Sequence, residues 1–341
     1  MAEAFSTDRV KPYLTGAAEK FRFYELTDAF LEKYGFAEVL SGIPIPFQGL
    51  DGGTAGMAGT AKAAAGAAGE DAIAAEQIAD NMAFILGVDP AFKYRGPYEV
   101  FIVRYYGSDP AGVLAAKGGA AADAGEFETA AVWFRAALAF SPTHKAALYG
   151  YSRTLTELYA GSGSEDYIGN LKAEAAGKME LLTQEYPEFA KGWYYLGYMY
   201  LNLGLYTKAH LAWKEYLKRS VVKTEREEIE MRMSQLKIPM EIEQGANAVI
   251  SGRWEEGVSV LEKHSKGKAS VWWPLWYYLG LAYRETGKAA DAETALRKAL
   301  RLSPRNTEIM RELIAVYKEL GNEEKVSKYE RKIELLEKTC L

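Results

Sequence analysis

Two octets, WYYLGYMY at 193–200 and WYYLGLAY at 276–283, put Trp, Leu, Gly and Tyr at the same relative positions, 83 residues apart. A chain that repeats such a string is assembled from like units. Each unit must bury its apolar face against the next, which limits the fold to an array of stacked elements. Behind the second octet, Ala292 is followed by the bulky Leu296, then Ala299 and Pro304. Gly280 and Ala292 remove side-chain bulk where two helices touch, and Trp276, Leu279, Tyr283 and Leu296 fill the ridges and grooves so formed. Gly287 turns the chain between the helices, and Pro304 stops the second one because it lacks an amide hydrogen.

This arrangement resembles the tetratricopeptide repeat (TPR), a helix–turn–helix of 34 residues. The same frame marks units at 111–144, 145–189, 190–223, 238–272, 273–306 and 307–340. The 145–189 unit is over-long, and its excess is expected in a loop at YAGSGSEDYIGN. An extra helix is expected at 224–237, where Ile229, Met233 and Leu236 recur at helical spacing. In the last unit Glu330 and Lys338 stand where bulky and helix-stopping residues would be, as suits an end cap. The resemblance implies an all-α fold, a TPR α-solenoid in which antiparallel helix pairs wind as a right-handed superhelix, with an N-terminal helical cap.

The first 110 residues lack the repeat. AAEKFRFYELTDAFLEKYGF, with Phe23, Leu26, Phe30 and Tyr34 on one stripe and Gly35 as a left-handed stop, predicts an amphipathic helix within segment 1–40. Prolines and a Gly/Ala-rich tract at 41–70 predict a linker. A helical pair is expected over 71–110. Its second member, PYEVFIVRYYG, has strand-like content, but the one available partner, IPIPFQ, is interrupted by prolines.

Composition sets limits on function. A net charge of −5 gives no generic basic footprint for nucleic acid or anionic lipid, while leaving room for local basic patches. One cysteine, Cys340, cannot form an intramolecular disulfide, and no apolar run suits a membrane span, so the expected location is cytoplasmic. His144, His210 and His264 are scattered without ligand spacing, and GTAGMAGTAK lacks the Gly-Lys-Ser/Thr end of a phosphate loop. No catalytic residue, metal site or cofactor is expected, and the protein is read as a non-enzyme.

The resemblance implies a concave surface built from the first helix of each unit. Carried over position by position, it comprises Tyr149 and Arg153; then Lys191, Tyr194, Tyr195, Tyr198 and Asn202; then Tyr277, Tyr278 and Arg284. Tyrosine offers large contact area at low entropic cost and ends in a hydroxyl, which suits capture of a partner peptide or helix. The expected function is a scaffold or adaptor with a tyrosine-lined groove, which the N-terminal helix could fold back to cover. The alternative is a docking subunit of an enzyme or processing complex whose activity lies in the N-terminal third. Chaperone-adaptor TPR proteins grip a C-terminal carboxylate tail with Lys, Asn and Arg. Here Ala115, Gly119, Gly150 and Tyr195 stand beside the single match, Lys191, so a chaperone tail is not the expected partner.

Overall fold

The computed structural model describes residues 8–33, 35–48, 75–161 and 163–338. The Gly/Ala-rich part of the expected linker, Tyr34 and Cys340 lie outside them. The chain divides into two compact units, Met1–Leu203 and Gly204–Leu341.

The first unit begins with α1 (Lys11–Leu14), a 3-10 turn at Thr15–Ala18, β1 (Phe21–Tyr24), α2 (Asp28–Lys33), α3 (Ala37–Leu40) and β2 (Ile45–Gln48). The amphipathic helix expected across 17–36 is therefore corrected. Helix occupies only Asp28–Lys33, and FRFY pairs antiparallel with IPFQ, Phe23 opposite Pro46. A two-stranded ribbon consists of edges alone, so a proline can point its missing donor outward without breaking a ladder. The ribbon is anchored by its carbonyls: Asn81 Nδ2 donates to Pro46 O at 2.9 Å and Tyr98 Oη to Pro44 O at 2.5 Å. Gly35 does take the left-handed conformation, φ 72°.

The remaining helices of this unit are α4 (Ala75–Val88), α5 (Arg95–Tyr106), α6 (Pro110–Asp123), α7 (Phe127–Phe140), α8 (Lys145–Ala160), α9 (Glu165–Glu185) and α10 (Ala190–Asn202). Helices pack in the order α6 on α7, α7 on α8, α8 on α9 and α9 on α10, with α6 also touching α8. Phe134 of α7 fills a slot made by two glycines: a Cβ on Gly118 or Gly150 would come within 2.8 or 2.3 Å of its ring. The excess of the 145–189 unit is not in a loop. It lengthens α8 to 16 residues and α9 to 21, with Ser164 capping α9 by accepting from Tyr167 N.

The second unit contains α11 (Tyr206–Arg219), α12 (Lys223–Gln235), α13 (Lys237–Ile250), α14 (Trp254–Leu261), α15 (Trp273–Glu285), α16 (Ala289–Leu302), α17 (Thr307–Glu319) and α18 (Glu323–Lys338). Its core runs from Ile242 through Leu261, Leu279, Leu296 and Leu313 to Ile333. Turn glycines 252, 287 and 321 all have positive φ, from 66° to 75°, and Gly125 in the first unit has φ 79°. At such a φ a side chain would clash with the following carbonyl, so glycine is the residue that closes each helix pair. The bulky-on-glycine contact recurs as well: Leu261 meets Gly245 at 2.7 Å from the position of a Cβ, and Leu296 meets Gly280 at 2.5 Å.

Candidate functional site

The octet residues carry the same chemistry in both copies. Trp193 and Trp276 each donate from the indole Nε1 to the carbonyl six residues back, Pro187 and Ser270, both at 2.7 Å. Tyr200 reaches Glu180 of α9 and Tyr283 reaches Glu262, in the 3-10 turn that follows α14, both at 2.5 Å. Tyr317 repeats this with Glu293 at 3.0 Å. These side chains stitch successive elements together. They leave the neighbouring tyrosines on the other faces of the same helices as the candidates for contact with a partner.

In the first unit those candidates converge. On α8 and α10, Tyr149 and Tyr195 meet edge-on with centroids 5.8 Å apart, Tyr195 meets Tyr194 at 5.0 Å, and Tyr194 meets Tyr198 at 5.1 Å. Arg153 lies over the Tyr195 ring at 4.0 Å and Lys191 over Tyr194 at 5.1 Å. A cation above an aromatic face is attracted by the ring quadrupole. All six side chains are half-buried. Burial, followed by the neighbouring Tyr195 phenol, pushes the Tyr149 phenol upward, with Arg153 opposing, so it remains a hydrogen-bond donor at neutral pH. Asn202 is exposed and donates to Tyr159 Oη at 3.1 Å.

Two residues of this cluster were absent from the sequence-derived set. Phe189 packs edge-on against Tyr149 at 5.4 Å, and Lys145 Nζ sits 4.3 Å over the Phe189 ring. Phe189 precedes α10 and Lys145 opens α8, so neither occupies an inward position within a first helix. The signal that could have found Phe189 is its place just after Tyr186 and Pro187, where an aromatic in a tight connection has only the adjoining helices to pack on.

The candidates of the second unit are differently placed. Tyr277 is 7 % exposed, and its phenol is pushed upward by burial and by Glu308 and Glu312 of α17. Arg284 is held by Glu312 and by Glu285, the latter at 2.7 Å. Both residues are engaged in the contact of α15 with α17, which corrects their assignment to an open binding face. Tyr278 is half-buried beside Tyr277, 5.2 Å between centroids.

Among the described residues no three His, Cys, Asp or Glu side chains are grouped to hold a metal ion. His144 caps α8 by accepting from Ala147 N at 3.3 Å, and His264 Nε2 lies 2.9 Å from a Glu241 carboxylate oxygen. No described helix is long and apolar enough to cross a membrane.

In a comparison with known families the tetratricopeptide repeat model aligns with 273–306, which covers α15 and α16. Residues 273–306 form a tetratricopeptide repeat. The TPR contacts seen there, bulky side chain on glycine and a left-handed glycine in the turn, recur in the pairs α6–α7 and α13–α14. The described chain is all-α apart from its two short strands, and its repeating part is built of TPR-like helix pairs. No curated protein sequence matches the chain. Among solved structures it is similar to the TPR domain of P58(IPK), 19% identical with a TM-score of 0.42, over 67% of this chain and 60% of that one. The chain thus spans less than two thirds of that structure. It is also similar to PilW, a type IV pilus biogenesis factor, 12% identical with a TM-score of 0.34, over 66% of this chain and 92% of that one. MamA 41-end from Desulfovibrio magneticus RS-1 is 18% identical with a TM-score of 0.29, over 55% of this chain and 96% of that one.

Proposed function

We propose that the protein is a non-catalytic interaction scaffold that seats a peptide or helix of a protein partner against the tyrosine cluster of α8 and α10. The observation that carries this reading is the mutual packing of Tyr149, Tyr194, Tyr195 and Tyr198 beneath Arg153 and Lys191. Ring-on-ring contacts hold the side chains in place before a ligand arrives, so little rotamer entropy remains to be lost on binding. Half-buried phenols supply both apolar area and a directional hydroxyl, the pairing that makes tyrosine a frequent anchor at interfaces.

The described N-terminal residues are engaged elsewhere. Asp8 pairs with Arg135 of α7, Lys11 with Asp89 at 2.8 Å, and Tyr13 packs on Tyr167 of α9 at 4.8 Å while accepting from Asn170. Within 17–36, Phe21–Tyr24 is a strand paired with Ile45–Gln48, and the reading includes no folded-back helix over the cluster.

Affinity capture from native lysate with wild-type protein and with Tyr194→Ala/Tyr195→Ala tests the proposal. Partners held by the cluster are lost from the double variant while its helical circular dichroism is unchanged. Equal recovery by both forms removes the cluster from the reading.

A further inference from the structure

The second unit carries a groove that the tyrosine reading does not use. It is an open cleft of about 640 Å³ between α16 and α18. Leu300, Pro304 and Tyr329 supply apolar surface; Arg297, Arg301 and Lys332 surround it with positive charge. Leu300 is 8 % exposed and anchored in the core, and Tyr329 is stacked on Tyr317 at 5.9 Å, so the apolar part is fixed in place.

The cations at the rim are weakly neutralised. Arg301 is exposed and makes no ion pair among the described residues, and Lys332 donates to the carbonyl of Pro304 at 3.3 Å. Arg297 is 62% exposed and lies 3.6 Å from Glu293. That carboxylate already accepts from Lys325 at 2.8 Å and from Tyr317 at 3.0 Å, and the Lys325 hydrogen bond above all holds it below the usual carboxylate range. Nearby acids are taken: Glu330 faces Lys318, Glu334 faces Lys338 and Glu337 faces Arg311. On a chain with net charge −5, a cleft with three under-neutralised cations is a local reversal of sign.

We infer that the α16–α18 groove binds an acidic linear peptide, its carboxylates meeting Arg297, Arg301 and Lys332 and an aliphatic residue resting on Leu300, Pro304 and Tyr329. Guanidinium groups pair with carboxylates through two parallel hydrogen bonds, and Arg301 is open to do so. Nucleic acid fits less well. A phosphodiester strand carries charge along its whole length and would run past the acids of α18, and base stacking needs successive exposed rings where this groove has one.

The test is fluorescence anisotropy on the full chain, with a labelled glutamate-rich decapeptide carrying one central leucine. Saturable binding is expected, weakening as sodium chloride rises because exposed charges are screened within about 10 Å at 0.1 M salt. Arg301→Glu/Lys332→Glu is expected to lose about tenfold or more in affinity, with the leucine-to-serine peptide weaker on wild type. Lys223→Glu, a lysine 87% exposed on α12, is expected to bind as wild type does. Should the double reversal unfold, Arg301→Gln alone still gives a loss of about threefold. The inference is overturned by no saturable binding to wild type, by an equal loss in Lys223→Glu, by indifference to the leucine, or by an oligouridylate that competes at lower concentration than the peptide does. None of these outcomes bears on the α8–α10 cluster, whose variants are scored separately.

Discussion

Phe134 shows how much depends on a missing methyl. Its ring lies against Gly118 on one side and Gly150 on the other, closer than any side chain there would permit. Gly150→Ala and Gly280→Ala are each expected to lower stability by about 1–3 kcal/mol, the usual cost of overpacking, in urea unfolding followed by circular dichroism. Gly119 is the control. It faces open space on the same helix as Gly118, so Gly119→Ala should raise stability by up to about 1 kcal/mol through helix propensity alone. At this scale Gly118, Gly280 and their bulky partners were legible, because small and large residues recur at fixed separation. Gly150 was not, since it falls outside that spacing and contacts the unit before its own. Tyr277 and Arg284 were misplaced for a related reason. Position within a helix gives the direction of a side chain, yet Glu308 and Glu312, which bind them into the α15–α17 contact, belong to the next pair.

Elements are joined by a small set of polar clasps. Tyr283→Phe and Tyr317→Phe each remove one hydroxyl that spans two elements, at an expected cost of about 1 kcal/mol by thermal or urea unfolding. The N-terminal clasp is stronger because Arg135 is 7 % exposed. Its Nη1 donates to Asp8 Oδ1 at 3.0 Å and its Nε to Gly87 O at 2.7 Å. Burial tends to raise the Asp8 carboxyl, but Arg135 and the amides of Lys11 and Val10 outweigh it and hold the group below the usual carboxylate range. Its contribution is therefore present above a pH of about 3.9, the unfolded value, and is lost as pH falls through the lower folded value. Asp8→Asn should cost about 2 kcal/mol, below the range for fully buried pairs because Asp8 is partly solvated, and should flatten the acid limb of the stability–pH curve. The ribbon behind this clasp was the least legible part of the sequence. FRFYELTDAFLEKY satisfies a helical stripe as readily as a strand followed by a short helix, and Pro46 argues against a strand only where both edges are paired.

For the whole chain, two compact units imply two cores, and the second is built from residues between Ile242 and Ile333. A fragment spanning 204–341 is expected to fold alone, with helical circular dichroism and a cooperative melt; a non-cooperative melt would show that its core is insufficient. Alkali should weaken both units. Tyr98 and Tyr151 in one and Tyr277 and Tyr317 in the other are buried, and burial raises each phenol above its usual value. A group bound to its proton more tightly when folded stabilises fully below the unfolded value of about 10 and loses that effect as pH climbs through the folded one. Melting temperature should therefore fall steeply above a pH of about 10, with phenolate absorbance appearing together with loss of ellipticity.

The lengthened α9 couples two regions far apart in the sequence. Its first turns supply Tyr167 and Asn170, the ring and the amide that receive Tyr13. Trimming this helix to the size of its neighbours would look like a harmless surface edit, yet it would also strip the opening stretch of its Tyr13 anchor and leave it to the Asp8 and Lys11 ion pairs. Anyone grafting or shortening this array gains by moving both regions as one part.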